Sequence, residues 1–97
     1  MNELHVVATI PAKSGSEDVI REALSGLVTA TREEEGCVSY HLYESSAAPG
    51  TFVTIEVWRS QDDLDAHLKS PHLGEAFAAA GDHLGGEVAI HPLTLVG

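Results

Sequence analysis

Cysteine is almost absent from this chain. With Cys37 alone among 97 residues, no disulfide can close within it, and a reducing setting such as the cytoplasm fits. Cations are scarce too. Lys13, Arg21, Arg32, Arg59 and Lys69 are the only five, they are scattered, and 15 acids bring the formal charge to −10. Phosphate backbones need clustered cations, so nucleic acid is excluded as a partner. No apolar run approaches the roughly 20 residues of a membrane span. The opening MNELHVVATI lacks the basic segment and longer apolar run of a signal peptide. G-x-S-x-G, P-loop and dinucleotide fingerprints are missing. The six histidines form no H-x-H or H-x3-H pair on one element, and His67 and His72 straddle an expected helix break, so no metal site is expected. Cys37 has only Arg32 as a nearby cation, which reads as an inert thiol.

What is present suffices for one small domain spanning 1–97. A chain this short buries about 60–65% of its unfolded surface, and oligomerisation would extend its core. Leu4 to Ile10 alternates as a strand, with Val6, Ala8 and Ile10 on one face, and Pro11 ends it. Ser16 to about Glu34 carries Val19, Ile20, Ala23, Leu24, Leu27 and Val28 at helical spacing, capped by Ser14 or Ser16. Gly26 inside that stripe reads as a close-packing position. Arg32 to Glu35 reads as a solvated helix end, with Gly36 as its stop. Cys37 to Glu44 and Thr51 to Trp58 alternate as two strands joined by the Pro-Gly loop SSAAPG. Gln61 to Lys69 is a short helix with Leu64 and Leu68 inward. Ser70-Pro71 starts another, which Gly81 ends. Glu87 to Val96 is a last strand interrupted at Pro92. The order β-α-β-β-α-β predicts an α+β, ferredoxin-like fold with a four-stranded antiparallel sheet and helices on one face. Val7, Val53, Ile55 and Val57 would then line the other face, where an apolar patch calls for a second copy of the chain.

The stretch from Thr51 to Trp58 concentrates the chemistry. Phe52, Thr54, Glu56 and Trp58 share one strand face. A buried Glu56 would be a usable base, and Trp58 could stack on an aromatic ligand. His67, one turn after Leu64, could accept a phenol proton. His72 marks a helix start or a pocket mouth. On the second strand Tyr40 lies on one face and His41 with Tyr43 on the other. Period two leaves open which set lines a pocket and which a dimer interface.

Three segments, E-G-C-V-S-Y-H-L (Glu35 to Leu42), F-V-T-I-E-V-W-R-S (Phe52 to Ser60) and L-D-A-H-L-K-S-P-H-L (Leu64 to Leu73), resemble the antibiotic biosynthesis monooxygenase family. The resemblance covers nearly the whole chain. It implies a dimeric α+β barrel and oxidation of a small phenolic, hydroquinone or polyketide-like aromatic substrate by O2 without flavin, haem or metal. On that reading Trp58, His67, Glu56 and His41 are the catalytic candidates. Tyr40, Tyr43, His72, Phe77, Leu64 and Ala8 are the substrate-binding ones. Haem-degrading relatives use an Asn, a Trp and a His ligand. Only Trp58 matches, because Ala8 and Phe77 occupy the other two positions. A non-catalytic dimeric small-molecule-binding module of the same fold is the alternative.

Overall fold

The computed structural model describes residues 3–97. The strands follow the alternating stretches: β1 Leu4–Pro11, β2 Cys37–Glu44, β3 Thr51–Trp58 and β4 Ala89–Leu93. The helices are α1 Glu17–Thr31, α2 Gln61–Leu68 and α3 Pro71–Ala80, followed by a 3-10 turn at Gly81–His83. The sheet is antiparallel in the order β2-β3-β1-β4, which is the ferredoxin-like α+β arrangement. No helix among the described residues is long and apolar enough to cross a membrane.

Register sorts the faces. Val6, Ala8 and Ile10 of β1 oppose Glu56, Thr54 and Phe52 of β3, and all six are buried beneath the helices. Ile20, Leu24 and Leu27 of α1 and Ala76 and Ala80 of α3 complete the larger core cluster. Each fully buried side chain of the size of Leu24 contributes about 1.5–3 kcal/mol. Val6, Tyr40, Trp58 and Leu64 form a second cluster at the other end of β3. A bulge between Cys37 and Ser39 lets Cys37 oppose Trp58 while Tyr40 opposes Glu56. Val38 is thereby turned out to solvent, contrary to strict alternation with Tyr40.

Several boundaries differ from the sequence reading for local reasons. Helix α1 stops at Thr31, and the chain turns through bonds from Glu33 N–H to the Ala30 carbonyl, Glu34 N–H to Thr31 and Cys37 N–H to Glu34. Glu34 is thus a turn residue rather than a solvated helix end. Ser16 occupies the cap position of α1 without a side-chain capping bond, and its hydroxyl meets His83 Nδ1 at 3.0 Å instead. Gly26 is exposed and packs against nothing, so it is not a close-packing position. Gly36 keeps a negative φ. What excludes a side chain there is Asp63, which lies where a Cβ would project. Ser60 and Ser70 cap α2 and α3 as their sequences predict, accepting from Asp63 N–H and Leu73 N–H. Leu64 is buried, but Leu68 is 40% exposed. Strand β4 is shorter than Glu87 to Val96, and Pro92 is tolerated because β4 is an edge strand.

Candidate functional site

Three alternate residues of β3 build a polar device on the helix-covered face. Glu56 is 4% exposed, and a carboxylate so enclosed needs donors. It finds them on its own strand: the Trp58 indole N–H donates to Oε1 at 2.9 Å and the Thr54 hydroxyl donates to Oε2 at 2.6 Å. The period of two that aims all three side chains inward also lets the flanking pair hold both oxygens.

In front of this carboxylate a cavity opens between sheet and helices. Ala8 and Ile10 line it from β1, Leu27 from α1, Tyr40 from β2, and Thr54 and Glu56 from β3. Leu64, His67 and Leu68 line it from α2, Leu73 and Phe77 from α3, and Val88 and Ile90 from the C-terminal segment. The cavity volume is about 20 Å³. That is room for one or two waters. An aromatic ring enters only as the helical walls part. Burial first, and the charge of Glu56 second, push the Tyr40 phenol far above its ordinary range, so it stays protonated. Burial first, then the charges of Glu34 and Glu56, push the Cys37 thiol up too.

Behind the cavity wall lies a second cluster. His67 is 2% exposed and sits in an aromatic box, its ring centroid 4.6 Å from that of Trp58 and 5.7 Å from that of Tyr40. Its Nδ1 lies 2.6 Å from Glu34 Oε2, and His72 Nε2 lies 2.7 Å from the same oxygen. The corner between α2 and α3 fixes both rings. The Ser70 hydroxyl donates to the His67 carbonyl at 2.6 Å and accepts from Leu73 N–H. Glu34 and His72 also face an open groove bounded by Gly26, Thr29, Ala30 and Glu33.

The structure therefore divides the sequence candidates. Glu56, His67, Tyr40, Leu64, Phe77 and Ala8 converge on the cavity. Trp58 does not line it; its indole is wholly buried and reaches the cavity through Glu56. His72 sits at the outer groove, not in the cavity. His41 and Tyr43 lie on the opposite sheet face, paired with Ile55 and Val53 and exposed, because β2 turns its Tyr40 side inward. His41 meets Arg32 there at 3.3 Å. The structure also brings together three residues whose spacing in the sequence gave no metal-site pattern. Glu34, His67 and His72 bring three ligand atoms within 4.8 Å of one another. Spacing on single elements misses them because Glu34 comes from a turn 33 residues before His67. The signal available was the Ser-Pro break, which sets the two histidines on adjoining helices.

Comparison with known proteins gives a consistent outcome. The family model described as antibiotic biosynthesis monooxygenase matches residues 4–79. Rv0793 of Mycobacterium tuberculosis is 39% identical over 85 residues, covering 88% of this chain and 83% of its own. Its solved structure superposes with a TM-score of 0.89, covering 99% of this chain and 97% of its own. The Escherichia coli protein named "Probable quinol monooxygenase YgiN" is 31% identical over 80 residues, covering 72% of this chain and 77% of its own. The crystal structure of PA3566 from Pseudomonas aeruginosa gives a TM-score of 0.90 at 28% identity, covering 100% of this chain and 97% of its own.

Proposed function

This chain belongs to the antibiotic biosynthesis monooxygenase family, and from that premise we propose that it oxidises a small phenol or hydroquinone with O2 and without a bound cofactor. One oxygen atom enters the ring, so that a phenol gives a quinone and a hydroquinone gives a hydroxyquinone, and the other leaves as water. The observation that carries this reading is the cavity between sheet and helices, whose mostly apolar walls carry the polar groups of Glu56, His67, Tyr40 and Thr54. Apolar walls suit an aromatic ring, and a few convergent polar groups orient its hydroxyl. Glu34 offers only acceptors, so His67 donates its Nδ1–H to it, which leaves Nε2 as the ring nitrogen to meet the substrate proton. The deprotonated ring then gives an electron to O2. Trp58 and Thr54 act as positioning residues that hold Glu56.

The reading includes a homodimer. The outer sheet face exposes Ile55 and Tyr43 at 46% and 53%, beside Val7, Val53 and Val57. Apolar area of that kind is covered by a second copy in a dimeric barrel. Sedimentation at micromolar concentration should give twice the chain mass, and a stable monomer would sink this part.

The decisive experiment is O2 uptake by chelator-treated protein against a panel of hydroquinones. One O2 consumed per hydroxyquinone formed, with no H2O2 released, is the expected result. Thermal stabilisation by the same compounds without O2 uptake would make the protein a binding module instead.

A further inference from the structure

We propose that Glu34, His67 and His72 form a binding site for a divalent first-row transition metal ion. The inference rests on the side-chain cluster alone, not on the monooxygenase reading. Two imidazoles converge on one carboxylate oxygen, at 2.6 and 2.7 Å, from three separate elements. Their ligand atoms, His67 Nδ1, His72 Nε2 and a Glu34 oxygen, lie within 4.8 Å of one another. An ion with bonds of about 2.0–2.1 Å needs tetrahedral ligands about 3.3 Å apart, so the carboxylate has to draw back and the two imidazole nitrogens, which lie within 4.8 Å, have to close in by up to about 1.5 Å. Glu34 stands on a turn, where such a shift breaks no helix.

The donor set selects the ion class. Two imidazole nitrogens and one carboxylate oxygen suit Zn2+, Co2+, Ni2+ or Fe2+ rather than Ca2+ or Mg2+, which prefer all-oxygen shells. Three protein ligands leave further positions open, and the groove beside Glu34 and His72 supplies both an entry path and room for water there. The net charge of −10 and Glu33 at the groove rim favour a cation. Ligation needs a lone pair on each nitrogen that now donates to Glu34. A ring that ligates through this nitrogen carries its N–H on the other one. Metal occupancy and the acceptor role of His67 are therefore alternative states of one residue.

The metal also joins the turn after α1 to the corner between α2 and α3. It would therefore bind the folded chain in preference to the unfolded one and raise its melting temperature.

Untagged protein freed of metal should be titrated with Co2+ and read by its visible d–d bands. One Co2+ per chain is expected, displaced by Zn2+, with Zn2+ alone raising the melting temperature. Glu34→Gln and His72→Ala should each weaken Co2+ binding by about 100-fold while circular dichroism stays unchanged, whereas His41→Ala should bind as the parent does. The absence of a 1:1 band in the parent protein overturns the proposal. So do bands that survive unchanged in both variants. If a variant fails to fold, the parent titration and the His41→Ala control still decide the question.

Discussion

The Trp58 indole N–H donates to Glu56 Oε1 at 2.9 Å across two positions of one strand, inside the cavity-facing layer of the protein. Tryptophan here is a support for a carboxylate rather than a surface for a ligand. Trp58→Phe keeps most of the ring volume and removes the donor. Because a bond to a charged group is lost and one carboxylate oxygen is left buried without a partner, the variant should be destabilised by about 1.5–3 kcal/mol. A urea-denaturation double-mutant cycle with Glu56→Gln should show coupling above about 1 kcal/mol. Strict additivity would show that the bond carries no stability.

Ala8 meets the cavity from β1, and it is 6% exposed. Leucine at this position fills the space a ring would take. Overpacking should cost about 1–3 kcal/mol without changing the fold. Quinol turnover and quinol-induced thermal shift should both disappear while circular dichroism is retained. Undiminished turnover in Ala8→Leu would place the substrate elsewhere.

Gly36 is constrained by a neighbour rather than by its own backbone. Asp63, which completes the cap network of α2, occupies the space a Cβ would need. Gly36→Ala should lower stability by about 1–3 kcal/mol in a thermal melt. In an Asp63→Ala background the same substitution should be nearly neutral. An equal cost in both backgrounds would assign the requirement to backbone conformation instead.

Acid should weaken the fold through two surface carboxylates. A hydrogen bond from Arg59, then one from Ser60, holds Asp63 below its usual range. A bond from Arg21, then the Gly50 N–H, does the same for Glu44. A carboxylate with a lowered folded-state value binds fewer protons folded than unfolded. Its contribution is complete above the unfolded value, about pH 4, and fades as pH falls through the folded one. Glu44 is exposed and Asp63 half-buried at the surface, so the effect is modest and shrinks with salt. Stability measured from pH 6 down to pH 3 should fall less steeply in the double variant Arg21→Gln, Arg59→Gln than in the parent. An identical slope would remove these pairs from the account of acid sensitivity.

Much of this arrangement was legible from local pattern. The bounds of β2 and β3, the capping serines at positions 60 and 70, the helix restart at Pro71 and the inward set Thr54, Glu56 and Trp58 all follow from spacing within a few residues. Pro92 signals either an edge or a bulge, and the sheet order makes β4 an edge strand. What stayed illegible depends on long separations. Period two sorts Tyr40 from His41 and Tyr43, but it holds no information about which side the helices cover.

Within the chain itself, alternation and helical spacing determined the element order, and the order determined a ferredoxin-like sheet with one covered face. These are short-range consequences of side-chain direction, and each strand or helix carries its own share of them. Tertiary structure alone decided the site. It turned Trp58 from a pocket wall into the support of Glu56, sent His41 and Tyr43 to the outer face, and folded Glu34 back from an apparent helix end onto His67 and His72. The physical reason is closure. A residue 33 positions away reaches a histidine only after α1, two strands and α2 have packed, and no local pattern encodes where that packing brings its side chain.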